Sequence, residues 1–390
     1  MRIPGFTSTG SKRPDALYGF GAPRGLPVKL ARAEGAFVWD VEGRRYLDFI
    51  MGLGAVALGY AHPAVASAAK AAIDAGVVGP LAPEAEELLA EQLASVIPML
   101  ERCRFLKTGA EATAAAVRLA RAHTGRDLVL RSGYHGWLDW CQAAGSPGVP
   151  AAVTALGDIL PFNDVEAGRT LIRDRGERLA AVVIEPVVEE APSKEWLEML
   201  RQETQRVGAV LVFDEIKTAF RIAPGGATER YGVVPDLMVL GKAVANGFPL
   251  AVVGGHHSVM ERARQVWISS TLATEMVSLA AAQATITVIV RESVPEHLQR
   301  VGKLWWDGLS QLAARHPAVV AGVGGIPPMS FLRFASEVAG AEVARAAAER
   351  GLLFKRSAYN FVSLAHTPEL IQQALGILDQ ACAQAAGRAG

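Results

Sequence analysis

Asp214 and Lys242 each close an apolar run. Val210-Leu211-Val212-Phe213 ends in Asp214-Glu215, and Leu237-Met238-Val239-Leu240 ends in Gly241-Lys242. Each run reads as a buried strand that delivers a charged side chain at its carboxyl end. Open α/β sheets bind ligands beyond the carboxyl ends of their strands, so Asp214 and Lys242 are expected to meet in one crevice. A desolvated lysine forms a Schiff base with an aldehyde, and a buried carboxylate keeps a pyridine nitrogen protonated. The pair therefore points to a cofactor that carries both groups. For the two residues taken alone, a strand-end salt bridge is the plain alternative.

The elements around them follow the same logic. Arg104-Phe105-Leu106-Lys107 predicts a strand, Thr108-Gly109-Ala110-Glu111 a turn, and residues 112–123 a helix. Strand, turn and helix N-terminus form an anion site, although a simple helix cap explains the same residues. Leu128-Val129-Leu130 leads into Gly133-Tyr134-His135-Gly136-Trp137 and Asp139-Trp140, aromatics that can stack on a planar ring or anchor a loop. The Gly- and Pro-rich segment 144–164 reads as a long loop of the lid or binding type. Residues 180–184 form another apolar run, ending in Glu185-Pro186, and residues 250–255 one more. Strands alternating with helices over 104–254 predict an α/β fold, a mostly parallel sheet with helices on both faces.

Outside that region the pattern changes. Residues 1–28 predict an extended arm; 36–40 and 45–49 predict antiparallel strands joined by a turn at 40–43; 64–75 and 84–97 predict helices. Residues 291–390 mix helices (296–314, 342–350, 368–385) with short strands near 319–323 and 330–334, which is α+β patterning. The expected division is an N-terminal arm and sheet (1–50) belonging to a small domain, a large domain (51–290), and a C-terminal small domain (291–390).

Composition narrows the function classes. Of the 390 residues, 51% are hydrophobic and 20% charged, which suits a compact enzyme rather than a disordered chain. With 39 basic and 39 acidic residues the formal net charge is +0, so neither nucleic acid nor an anionic membrane is an expected partner. The three cysteines, Cys103, Cys141 and Cys382, fit no metal spacing and no disulfide framework, which suits a reducing cytoplasm. No stretch has the continuous apolar length of a membrane span, and residues 273–290 read as a buried helix.

Taken in order, these landmarks resemble the class III family of pyridoxal-phosphate aminotransferases, in its glutamate-1-semialdehyde aminomutase-like branch (fold type I). Ala36-Phe37-Val38-Trp39-Asp40, Gly59-Tyr60-Ala61-His62-Pro63, the turn at Thr108, Tyr134-His135-Gly136, Glu185-Pro186, Asp214-Glu215, Gly241-Lys242 and the Thr271 segment occur in the family's sequence. The resemblance implies pyridoxal 5'-phosphate held by Lys242 as a Schiff base, with Asp214 on the pyridine nitrogen. It implies phosphate contacts from Thr108, Gly109 and Ala110, with Thr271 added from a second copy in a homodimer with shared sites. Tyr134 and Ile216 would flank the ring and Glu185 would lie near it. Trp137, His135 and Asn360 are candidate substrate contacts, and Arg221 and Arg356 candidate carboxylate binders. No metal is expected.

Three segments depart from the family pattern. Lys107-Thr108-Gly109-Ala110 stands where Asn-Ser-Gly-Thr is usual, and Leu272-Ala273-Thr274-Glu275-Met276 where a Gly-Asn-Pro turn is usual. The third, Ser357-Ala358-Tyr359-Asn360-Phe361, is shortened, with Asn360 where the aminomutase has a glutamate. The implied activity is transfer of an amino group between a donor and a carbonyl acceptor by a ping-pong route, in secondary-metabolite or amino-sugar chemistry. The alternatives are an intramolecular aminomutase, with segment 144–164 as its lid, a racemase or epimerase, and a catalytically silent homologue.

Overall fold

Residues 1–62 with 296–390 form one compact unit, and residues 63–295 form another. The computed structural model describes residues 2–21 and 25–389.

In the first unit, β1 (Leu30–Glu34), β2 (Phe37–Asp40) and β3 (Arg45–Asp48) form an antiparallel meander. Asp40 builds the β2–β3 turn: its carboxylate accepts from the backbone N–H of Glu42 (3.0 Å) and Arg44 (2.9 Å), a geometry open to short polar side chains. Residues 51–62 are tied to this sheet, since the Tyr60 hydroxyl donates to Asp48 at 2.7 Å and Tyr60 bridges to Gly35. The arm before residue 28 is not simply extended. Pro14–Tyr18 form a short helix with proline at its first turn, where a missing N–H costs nothing. The Arg345 guanidinium donates to the carbonyls of Tyr18 (2.8 Å) and Phe20 (2.9 Å), a support from far along the chain that local patterning cannot reveal.

The second unit holds a sheet of seven strands in the order β4-β10-β9-β8-β7-β5-β6. These are β4 (Arg102–Leu106), β5 (Leu128–Ser132), β6 (Gly157–Ile159), β7 (Leu179–Ile184), β8 (Val210–Asp214), β9 (Leu237–Leu240) and β10 (Ala251–Gly255). All run parallel except β10, which is antiparallel to both β4 and β9. β7, β8 and β9 are buried along their whole length because helices cover both faces. Side chains alternate between the two cores: Ala181, Val183 and Val212 pack with Ala112 and Ala116 of the helix Gly109–Thr124. Val182, Ile184, Leu211 and Phe213 pack with Trp196, Leu197 and Leu200 of the helix Lys194–Val207. The segment 144–164 is more ordered than a lid loop. It contains a short helix, Ala151–Thr154, and then β6, whose residues 157–159 pair with 129–131 at the sheet edge. Three residues give too little periodicity to be read as a strand; the neighbouring β5 supplies the hydrogen-bonding template.

In the first unit again, β11 (Val320–Ile326), β12 (Met329–Phe334) and β14 (Asn360–Phe361) form an antiparallel sheet, and β13 (Leu352–Leu353) joins β3 in parallel. Among the described residues no single helix is long and apolar enough to cross a membrane.

Candidate active site

Neighbouring strand ends deliver the two key side chains. β8 and β9 are hydrogen-bonded in parallel, with Asp214 in register with Val239, so Asp214 and Lys242 leave the same edge of the sheet. Lys242 follows Gly241 with φ 45°, a left-handed conformation unusual for a residue with a Cβ. Backbone strain of this kind persists only where the surroundings over-determine it.

Asp214 is buried, and its Oδ2 lies 2.8 Å from His135 Nδ1. A carboxylate can only accept, so His135 Nδ1 carries the proton and the ring fixes the orientation of Asp214. The imidazole is itself stacked on Trp140, with centroids 5.8 Å apart. This placement corrects the reading of His135 as a substrate contact: its side chain is wholly buried behind Asp214.

Burial holds the Lys242 ammonium below the ordinary lysine range. Among the surrounding charges, Glu185 and Asp214 oppose that shift, while Lys217 and Arg221 reinforce it. The effect is to favour a neutral amine, the form that acts as nucleophile or base.

Glu185 is the hinge of this charge group. Its Oε1 pairs with Lys217 Nζ at 3.0 Å, and its Oε2 accepts from the backbone N–H of Tyr134 at 2.8 Å. Gly133 allows that approach: with φ 98° and a Cβ position 2.7 Å from Glu185 Oε2, no larger residue fits there. Tyr134 and Trp137 then project outward, 70% and 74% exposed. Lys217 escaped the sequence reading. The signal available was a lysine three residues after Asp214, in a run otherwise too apolar to solvate it.

The turn at residue 108 is a helix N-terminus with a full capping box. Thr108 Oγ1 accepts from Glu111 N–H (3.2 Å), and Glu111 Oε2 accepts from Thr108 N–H (2.9 Å) and the Thr108 hydroxyl (3.1 Å). The Thr-x-x-Glu signature of this box was legible in the sequence. It leaves the Thr108 hydroxyl engaged, so the donors open to an anion are the N–H groups of Gly109 and Ala110. Both lie in the first turn of a 16-residue helix. Close packing shapes the cradle: a Cβ on Gly109 would stand 2.5 Å from Ile216 Cδ1, and one on Gly136 would stand 2.6 Å from Ala110 Cβ. Ile216, half-buried beside this turn, donates its N–H to Asp214 Oδ1 at 3.3 Å.

Two of the departures from the family pattern prove to be partners. Lys107 Nζ and Glu275 Oε1 form a salt bridge of 2.8 Å, and Glu275 caps the helix Met276–Arg291 by accepting from the N–H of Val277 (2.8 Å) and Ser278 (3.0 Å). The ion pair joins the strand before the anion turn to the segment after Thr271. Thr271 itself lies exposed on a turn.

The remaining candidates are occupied elsewhere. Asn360 Oδ1 accepts from Lys355 N–H (2.7 Å) and its Nδ2 donates to the Lys355 carbonyl (3.0 Å), so the side chain closes a local turn rather than facing a substrate. Arg356 pairs with Glu337 and donates to the Asp15 carbonyl. Arg221 is fully enclosed, which lowers its pKa to about 10, so neither arginine is displayed for a carboxylate. Glu215, next to Asp214, is also structural. It accepts from the N–H of Ala227 and Thr228 (each 2.9 Å) and from the hydroxyls of Thr218 and Thr228.

A family model described as class-III aminotransferase matches residues 21–382. The chain belongs to that family. It is 34% identical to a glutamate-1-semialdehyde 2,1-aminomutase of Neisseria gonorrhoeae, over 92% of this chain and 92% of that protein. Among solved structures it resembles the FumI protein of Sphingopyxis sp. MTA144 in its PLP internal aldimine form, with TM-score 0.90 and 27% identity over 98% of this chain and 93% of that one. A glutamate-1-semialdehyde-aminomutase from Pseudomonas aeruginosa PAO1 aligns with TM-score 0.81 and 25% identity, covering 92% and 88%. The protein is accordingly a pyridoxal-phosphate-dependent enzyme of the α/β fold that these relatives share. The residues present suit that cofactor: a buried carboxylate with its own positioning histidine, a desolvated lysine, and a cradle with no room for a Cβ at Gly109 or Gly136.

Proposed function

We propose that the enzyme is an aminotransferase that moves an amino group from a small-molecule donor to a separate carbonyl acceptor in two half-reactions. The observation that carries this reading is the convergence of Asp214, oriented by His135, and Lys242, desolvated among Glu185, Lys217 and Arg221. When bound, pyridoxal phosphate supplies an electron sink for the charge left on the substrate carbon as its proton departs. Lys242 Nζ would hold the cofactor at its aldehyde carbon and, as a neutral amine, would take and return the substrate proton. Asp214 keeps the pyridine nitrogen protonated, and His135 keeps Asp214 turned towards it. The N–H groups of Gly109 and Ala110 bind the phosphate, with the hydroxyl of Thr108 holding the turn in shape. Tyr134 and Ile216 flank the ring, Glu185 fixes the Tyr134 loop, and Trp137 borders the substrate side. A cytoplasmic homodimer, in which Thr271 of one copy reaches the phosphate of the other, completes the proposal.

The test is transfer of label. With a 15N-labelled amino donor and an unlabelled carbonyl acceptor, the label is expected in the aminated acceptor. Label that never leaves the donor skeleton refutes the transferase reading. The second reading, an intramolecular aminomutase, is favoured by the 34% identity to the Neisseria aminomutase. It predicts isomerisation of an amino aldehyde without any added acceptor. Borohydride reduction followed by mass spectrometry is expected to place the cofactor adduct on Lys242, and a Lys242→Ala protein that retains an adduct elsewhere would overturn that assignment.

A further inference from the structure

Away from the strand ends that carry Asp214 and Lys242, two histidines and a glutamate meet on the opposite edge of the same sheet. Glu101 immediately precedes β4, and His256 and His257 immediately follow β10. The antiparallel pairing of Gly255 with Arg102 brings these ends together, and the pairing of Gly255 with Leu237 puts them at the start of β9, whereas Lys242 lies past its end. Glu101 Oε2 lies 2.8 Å from His257 Nδ1, and Glu101 Oε1 lies 4.0 Å from His256 Nε2. One ligand atom from each of the three side chains falls within 4.8 Å of the other two. All three side chains are exposed.

We propose that Glu101, His256 and His257 form a binding site for a divalent transition-metal ion of the zinc class. Two imidazoles and one carboxylate are the donor set such ions prefer over magnesium or calcium, which favour oxygen alone. Bond lengths near 2.0–2.2 Å place neighbouring ligands of a tetrahedral ion roughly 3.3–3.6 Å apart, so small side-chain rotations bring the three atoms to that spacing. The backbone is fixed on both sides. The His256 N–H donates to the Asp236 carbonyl at 3.0 Å, and the His257 N–H donates to Glu101 Oε2 at 2.9 Å. His256 has an orienting partner too: its Nδ1 lies 2.8 Å from the Ser258 hydroxyl, which leaves Nε2 directed at Glu101. As N-cap, His256 Nδ1 also accepts the Ser258 N–H at 3.4 Å; with an ion on Nε2 the ring takes the other tautomer, and its Nδ1–H donates to the Ser258 hydroxyl as the outer-shell support of metal-bound histidine. An ion on His257 Nδ1 takes the place of the hydrogen shared with Glu101, and the neutral ring then carries its proton on Nε2. Three protein ligands leave a fourth position for water.

The experiment uses tag-free holoenzyme. Calorimetric titration with zinc chloride is expected to show one equivalent per chain, and copper(II) loaded instead is expected to show two-nitrogen superhyperfine splitting by electron paramagnetic resonance. Ser258→Ala is expected to weaken binding about 10–100-fold, the usual cost of an outer-shell partner, and His256→Ala or Glu101→Gln by more than that. Amino-transfer activity is expected to be unchanged in all three variants. Absence of zinc binding, or a stoichiometry and copper spectrum untouched by His256→Ala, overturns the proposal.

Discussion

Replacing Lys217 by methionine tests the charge group at its least obvious point. The Lys217–Glu185 pair is short, at 3.0 Å, and nearly enclosed, with side chains 7% and 11% exposed. The small stabilisation of about 0–1 kcal/mol typical of surface ion pairs therefore does not apply. Removing one partner of a buried pair costs about 3–5 kcal/mol, because the other charge is left without compensation. Glu185 keeps the Tyr134 N–H as a donor, which places the expected cost of Lys217→Met near the lower end, about 3 kcal/mol. At about 2–4 °C per kcal/mol for a unit of this size, the holoenzyme should melt roughly 6–12 °C lower. Glu185→Gln should also destabilise, since it removes the charge paired with Lys217, while the Lys217→Met/Glu185→Gln double variant should recover most of the loss. The assay is a double-mutant cycle on melting temperature. Additive single effects, with no recovery in the double variant, would refute the claim that the two side chains act as one compensated unit.

Gly136→Ala adds a methyl group at φ 98° and 2.6 Å from Ala110 Cβ, so about 1–3 kcal/mol of overpacking should appear as cofactor affinity lowered about 5–150-fold. Equilibrium dialysis of pyridoxal phosphate measures it. In the Glu275 carboxyl, burial favours the neutral form, but Lys107 and Ser278 outweigh it and hold the group below its ordinary value of 4.5. Its contribution to stability is present above that pH and is lost as pH falls. Lys107→Met should accordingly shift acid unfolding to higher pH, read by circular dichroism. Lys355 is lowered by burial, then by Arg356, from 10.5 to about 8. Between those values the unfolded chain holds the proton and the folded chain does not, so wild-type stability should rise from about pH 8 towards 10.5. Lys355→Met should remove that rise and be the more stable protein below pH 8, as denaturant midpoints across the range would show.

The sequence alone determined the parts whose physical cause is local. Short, β-branched apolar runs such as Val210–Phe213 are too brief for buried helices and read as strands covered on both faces, and the charged residues that end them follow from where the run stops. Hence the sheet, and the strand-end positions of Asp214, Glu185 and Lys242, were legible. So was the helix after Thr108, whose Thr-x-x-Glu box engages the hydroxyl with Glu111. Contacts between residues distant in sequence were decided only by the tertiary structure. His135 behind Asp214, 79 positions away, could not be told from a substrate contact, because side-chain direction at the end of β5 depends on β7 and β8 packing beside it. Asn360 looked available until its turn with Lys355 closed. Lys107 and Glu275 looked like two unrelated departures and are one ion pair across 168 positions. Local periodicity records which face of an element is buried; what that face meets is set by the sum of packing across the fold, and no window of sequence contains it.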